Sequence, residues 1–246
     1  MKVGTVGPTV VTGPVASGGT ETTFTGNGTT GINGQNYKVH KFTANGTLTV
    51  TTGGACEVFV LAGGGGGCDS GGGAGGLIQT PWSLSAGTYN VVVGNGGTFA
   101  SGRSNPGGNS SIGSATPAGA TITAYGGGGG TVAWQDGSPG GCSGGACDAV
   151  AGAVIGSQGY AGGAIGVGTY CGGGGLGGAG TTAGGPGIQS SFTGSLVSYG
   201  AGGKGTTGTA NGTYWQGTAN SGDGGQGYPQ QSAGSSGVVI IRYPTV

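Results

Sequence analysis

Few residues in this sequence are equipped for acid–base or nucleophilic chemistry. His40 is its only histidine, which removes most schemes that pair an imidazole with a hydroxyl, a thiol or a carboxylate. Asp69, Asp136, Asp148 and Asp223 stand singly among glycines, with no paired-carboxylate spacing. Gly173–Gly178 (G-G-G-L-G-G) satisfies the G-x-G-x-x-G pattern of dinucleotide sites. With 72 glycines in 246 residues such a match arises from composition alone, and no strand–helix context surrounds it. Gly202–Thr206 (G-G-K-G-T) lacks the Gly-Lys-Ser/Thr end of a phosphate-binding loop. The five cysteines, Cys56, Cys68, Cys142, Cys147 and Cys171, are odd in number and irregularly spaced, which makes a poor disulfide framework. Cys142 and Cys147 are close enough to be bridged, but reduced, small and buried is the plainer reading. Zinc would need several Cys and His at short spacings, and His40 is remote from the cysteines in sequence. No enzyme, no metal and no cofactor is expected. The triplets at Asn27, Asn45, Asn109 and Asn211 fit Asn-x-Ser/Thr, which the abundance of these residues explains without glycosylation.

The chemistry that remains is binding. Thr131–Pro139 reads T-V-A-W-Q-D-G-S-P, and Asp148–Tyr170 holds Tyr160 and Tyr170 among small residues. Thr206–Asp223 contains Asn211 followed by Gly-Thr-Tyr-Trp-Gln through Gln216. Exposed aromatic and amide side chains on a rigid scaffold have the composition of a recognition surface. Trp134, Gln135, Asp136, Tyr170, Tyr214, Trp215 and Gln216 are therefore the candidate receptor-binding residues. The alternative is that the tryptophans merely cover the ends of the scaffold.

That scaffold must be built from glycine. Val58–Gly76 runs V-F-V-L-A-G-G-G-G-G-C-D-S-G-G-G-A-G-G, and the same texture returns at 126–130, 140–145, 172–180, 184–187, 200–205 and 222–227. Collagen is excluded, because pentaglycine runs and inserts such as Thr131–Pro139 break the strict third-residue period. Disorder is the usual fate of glycine-rich sequence, yet a coil with 5% charged residues and no net charge would aggregate. The third answer is a packed bundle of polyproline-II-like glycine helices. These make no internal hydrogen bonds, so their outward N–H and C=O groups can pair laterally where no side chain intervenes.

Strand patterns flank the glycine. Asn36–Phe42 alternates, and Asn45-Gly46 supplies a turn before Leu48–Thr51. Cys56–Ala62 is an apolar strand, so 21–62 reads as a small antiparallel unit. Further strands are expected at Tyr89–Val93, Ala120–Tyr125, Phe192–Tyr199 in broken form, and Val238–Tyr243. A faint repeat appears: Ser110-Ser111-Ile112 leads to Tyr125-Gly126, and about eighty residues later Ser190-Ser191-Phe192 leads to Tyr199-Gly200. The expected fold class is mainly β plus polyglycine-II, with short antiparallel strands flanking the glycine bundle and essentially no α-helix. Residues 63–246 form its glycine-rich domain, closed by the C-terminal strand. Residues 1–20 read as an extended arm, with Val3, Val6, Val10 and Val11 as attachment residues.

Six Lys+Arg balance six Asp+Glu, which argues against nucleic acid or an anionic membrane as partner. No secretory leader pattern is visible at the N-terminus, and no apolar run approaches a membrane span.

Four stretches together resemble the glycine-rich domain of bacteriophage tail-fibre and other virion-associated proteins: Tyr37–Gly54, Val58–Leu77, Ser85–Gly97 and Gly234–Pro244 (G-S-S-G-V-V-I-I-R-Y-P). The likeness covers about residues 30–246 and is similar in design, more loosely, to the polyglycine-II tip adhesins of T-even-like phages. It implies a virion protein made in the host cytoplasm. The expected role is a receptor-binding adhesin for a host surface glycan or outer-membrane protein. The alternative is a purely structural virion part: a capsid decoration, or a fibre or tail subunit. Residues 1–29 fall outside the likeness. The arm is expected to dock on other virion proteins or on a second copy of the chain.

Overall fold

The computed structural model of the chain describes residues 13–114, 120–147, 149–164, 170–205 and 217–245. Among them there are strands and no helix. In chain order the strands are β1 (Val15–Ser17), β2 (Thr20–Thr25), β3 (Asn36–Phe42), β4 (Gly46–Thr52), β5 (Gly54–Leu61) and β6 (Leu77–Leu84). There follow β7 (Gly87–Val92), β8 (Ser110–Ser114), β9 (Thr121–Ala124), β10 (Ile188–Ser190), β11 (Val197–Tyr199) and β12 (Val238–Thr245). Sheet I has the order β1-β4-β7-β8-β9, and sheet II the order β2-β3-β12-β5-β6. A separate antiparallel hairpin, β10-β11, completes the set.

Burial explains which runs became which strands. In β4 and β7, Leu48, Val50, Tyr89 and Val91 are buried while alternate residues are exposed, so one face packs and the other is wet. The unbroken apolar runs Val58–Leu61 and Val238–Ile241 are buried on both faces. Val58, Val60, Val239 and Ile241 meet sheet I, including Leu48, Val91 and Ile112. Phe59, Leu61, Val238 and Ile240 point the other way, against Phe192 and Tyr199. The Phe59 ring lies 5.5 Å from Phe192 and 5.0 Å from Tyr199, centroid to centroid. Sheet II is thus the middle layer, and its central strand β12 comes from the far end of the sequence.

The expected hairpin of Asn36–Phe42 with Leu48–Thr51 does not form. β3 pairs with β2 and β12, and β4 pairs with β1 and β7. Phe42 and Leu48 both lie in the core between the sheets, so the intervening turn carries the chain across the sandwich. Asn45 Oδ1 fixes that crossing by accepting the Val93 N–H at 2.8 Å. β6 adds a strand beyond those expected, and it carries Pro81, which cannot donate to a ladder. It is tolerated there because β6 is an edge strand. The faint repeat is a hairpin module: β8-β9 and β10-β11 are both antiparallel pairs whose second strand runs directly into glycine. Of the stretch read as an arm, residues 13–20 are described, and Val15–Ser17 pairs with β4. Val3, Val6, Val10 and Val11 lie outside the described residues.

The runs 63–67 and 71–76 are buried, and their amides go to distant segments. Gly63 and Gly66 donate to Gly108 and Asn105, Gly64 and Gly67 donate to Ser235 and Ser232, and Gly65 donates to Gly73, at 2.9–3.0 Å. Residues three apart therefore address the same neighbour. The next run repeats this: Gly71 and Ala74 donate to Cys171 and Gly174, Gly72 and Gly75 to Gly225 and Gly222, and Gly73 and Gly76 to Gly128 and Tyr125. Carbonyls of 71–76 in turn accept from Gly65, Cys142, Gly145 and Gly203, so this run touches segments on every side. The G-x-G-x-x-G match is spent in the same way. Gly173, Gly174, Gly175 and Leu176 donate to Gly203, Ser143, Gly178 and Gly200, leaving those amides none to offer a phosphate.

These contacts leave no room for a side chain. A Cβ on Gly174 would sit 1.9 Å from the Tyr160 carbonyl oxygen, whereas one on Gly178 would meet only the Pro186 ring at 3.3 Å. Gly174→Ala is expected to cost at least about 3 kcal/mol in urea unfolding, and Gly174→Val to yield insoluble protein, while Gly178→Ala costs under about 1 kcal/mol. Equal stability of the two alanine variants would refute this packing.

Candidate binding face at the outer ends of the glycine segments

The glycine run that leaves β5 turns back at its far end. The turn at Cys68–Ser70 lies beyond Gly63–Gly67, which continue from β5. Ser70 ties that turn to a second one. Its N–H donates to the Thr131 carbonyl at 3.0 Å, its hydroxyl to the Gly145 carbonyl at 2.6 Å, and Thr131 N–H donates back to Ser70 Oγ at 2.7 Å. Thr131 Oγ1 closes its own turn by donating to the Gln135 carbonyl at 3.2 Å. Trp134 N–H donates to the Cys147 carbonyl at 2.9 Å. The turn carrying Trp134 is therefore pinned at its base and its tip, by groups that are themselves buried.

The indole projects from this frame. Trp134 is 72% exposed, and its backbone has φ 64°, in the left-handed region that a bulky residue rarely occupies. Gln135 is half-buried and forms a bridge with Cys147, which forms another with Tyr170. Gln135, Cys147 and Tyr170 thus lie side by side. Asp136 is exposed, and its Oδ1 accepts the Val150 N–H at 3.0 Å. The structure brings these four predicted residues, Trp134, Gln135, Asp136 and Tyr170, to one end of the molecule. Tyr214, Trp215 and Gln216 lie outside the described residues, as does Asp148.

Five further residues join this face. Arg103 bridges to Thr131, and its Nη2 donates to the Asp136 carbonyl at 3.0 Å. Tyr228, 45% exposed, sets its ring 6.3 Å from that of Tyr170. Tyr228 N–H donates to the Asp69 carbonyl at 3.1 Å, and Gln231 Nε2 to Asp69 Oδ1 at 3.2 Å. Val150 is 70% exposed beside Asp136. Tyr228 was legible as the first bulky residue after the run 222–227. Arg103 had no local signal, since only its pairing with Thr131 places it here.

A family model described as a glycine-rich domain matches residues 43–244. The chain belongs to this glycine-rich domain family. No curated protein matches it. The match takes in the strands from β4 onward, the glycine runs and the residues of the candidate face.

Elsewhere the histidine and the thiols are sequestered. His40 is buried in β3, and all five cysteines are buried thiols. Among the described residues no three His, Cys, Asp or Glu side chains are grouped to hold a metal ion. Burial pushes the Cys56 and Cys142 thiols up to about 12, so neither ionises near neutrality. At about pH 8 neither is expected to react with an aromatic disulfide reagent until denaturant is added. Stoichiometric labelling of either in the native protein would contradict the packing.

Proposed function

We propose that this chain is a virion surface or tail-fibre-tip protein that binds a host surface glycan or outer-membrane protein through the face around Trp134, and that it catalyses no reaction. The observation that carries this reading is Trp134 itself. A left-handed backbone costs a non-glycine residue about 1–2 kcal/mol, and an indole 72% exposed forgoes its burial energy. Glycine at 134 would serve the fold at least as well, so a tryptophan held there suits an external partner. Pinning the turn in advance lowers the ordering cost on binding.

The polarity of the molecule supports the same reading. Strand register puts Thr245 opposite Asn36, at the end of sheet II remote from Leu61 and the glycine. Gly13 lies against Tyr243 and Pro244 at that end. Attachment through the arm, to other virion proteins or to a second copy, would leave the Trp134 face outward. We also read the glycine segments as a bundle of polyglycine-II helices. The support is the three-residue period of their hydrogen bonds, which matches three residues per turn. An experimental structure with φ near −75° and ψ near +145° along 63–67 and 71–76 is the check.

Trp134→Gly is expected to weaken adsorption to host cells by about 2 kcal/mol, roughly thirtyfold in affinity, while leaving the melting temperature unchanged or slightly raised. Loss of stability with full adsorption would instead make this a purely structural virion component.

A further inference from the structure

An edge strand carries a row of unpaired N–H and C=O groups, so a sheet edge is either blunted or open to another strand. Three of the four edges of sheets I and II are blunted. β6 carries Pro81. β9 is covered by Gln158, whose Nε2 donates to the Thr123 carbonyl at 3.1 Å. β1 has three residues, and its register with β4 shifts between Val15 and Ala16. β2, the outer strand of sheet II beside β3, has none of these devices. It runs T-E-T-T-F-T with no proline, no lysine and no bulge, and all its residues but Phe24 are exposed.

The way its backbone faces follows from the residue after it. Gly26 N–H donates to the Gln35 carbonyl at 2.8 Å, on the β3 side. By alternation Thr20, Thr22 and Phe24 also address β3, and the N–H and C=O groups of Glu21, Thr23 and Thr25 point away from the sheet. Among the described residues none hydrogen-bonds to these outward groups. The one charge on the strand is drawn back from the edge. Glu21 accepts the Gly18 N–H at 3.2 Å and pairs with Lys38 of β3 at 2.8 Å.

We propose that β2 pairs with β2 of a second copy, antiparallel about a two-fold axis at Thr22, so that two copies of sheet II become one continuous sheet. Directly opposed residues share a face, so an axis normal to the sheet must pass through a residue rather than between two. Charge selects which. Centred on Glu21, the pairing sets two carboxylates against each other. Centred on Thr23, it puts two Lys38 side chains in one cross-strand row, because Lys38 stands opposite Thr23. Centred on Thr22, it places Glu21 opposite Thr23 of the second copy, with that copy's Lys38 next in the row. Opposite charges then share a row and a face. Registers centred further out shorten the overlap.

The remaining pairs suit this register. Thr22 meets Thr22 on the axis, and Phe24 stands over Thr20 of the second copy; threonine pairs and aromatic–β-branched pairs both stabilise adjacent strands. Glu21 and Thr23 exchange their outward hydrogen bonds, so the open groups of each copy supply the other. Thr25 lies at the Asn36–Thr245 end, remote from the glycine, so antiparallel pairing sends the two glycine ends in opposite directions. The dimer does not depend on the adhesin reading.

Sedimentation of the full chain at about 100 μM is expected to show twice the 22.6 kDa of one copy. Thr23→Pro removes an outward N–H that the single copy does not use, and Thr22→Lys opposes two ammonium groups on the axis. Each should weaken association at least about tenfold, with the melting temperature of the dilute protein unchanged. Thr22→Cys locates the axis, since the five native thiols are buried. Paired Cα atoms there lie about 4.5 Å apart, within the range of about 4.4–6.8 Å that a disulfide spans. Mild oxidation should link this variant into a covalent dimer. Thr25→Cys, with its two copies roughly 20 Å apart, should stay unlinked. A wild-type monomer at that concentration would overturn the pairing. So would a dimer that survives both Thr23→Pro and Thr22→Lys, or equal cross-linking of the two cysteine variants.

Discussion

Pairing between backbone amides and carbonyls of glycine segments is the constraint on which the rest of this structure depends. The segments approach until a Cβ would lie 1.8–2.1 Å from a neighbouring carbonyl oxygen, as at Gly203, Gly67 and Gly64. No residue but glycine permits that distance. Each net hydrogen bond contributes about 0.5–1.5 kcal/mol, while ordering glycine in place of alanine costs about 0.5–1 kcal/mol more. The margin per residue is narrow, so an isolated segment has nothing to hold it. The run 71–76 survives because neighbours on every side take its amides and supply its carbonyls.

The sheets provide what glycine cannot. Hydrophobic burial, large and non-directional, fixes the places where strands meet glycine segments: after β5, β7, β9 and β11, and before β6, β10 and β12. Once these ends are set, the register of the amides follows. Gly237 and Gly234 donate to Gly94 and Gly97, the run that leaves β7, so the segment entering β12 is tied along its length to one leaving sheet I. The buried Asp223 is a polar counterpart: its carboxylate accepts the Ala201 amide and a bond from the Ser221 hydroxyl, although burial raises its pKa.

Asp223 apart, the charged side chains described above stand at the two ends. At the outer turns stand Trp134, Arg103, Asp136 and Tyr228. At the sheet end, Glu21, Lys38 and His40 gather on the crossing between β1 and β2. Between them the thiols and small residues are packed out of reach of solvent.

Much of this was fixed by local sequence. The alternation of Asn36–Phe42 gives β3 to the residue, and the apolar runs Val58–Leu61 and Val238–Ile241 were legible as strands, though their burial on both faces was not. Glycine content with so little charge required that the runs be packed. A rigid scaffold also required that Trp134 be put outside it. What the sequence left open was pairing. Whether Asn45-Gly46 closes a hairpin or carries the chain between layers depends on where Phe42 and Leu48 find their core, which is a property of both sheets. β2 and β6 are polar or carry proline, and became strands only because an edge was available to them. Arg103 reaches the candidate face, and His40 meets Tyr243 across 203 positions of sequence, because strands and glycine runs from distant parts of the chain converge. A glycine amide looks the same at every position, so its partner is chosen by the tertiary structure alone.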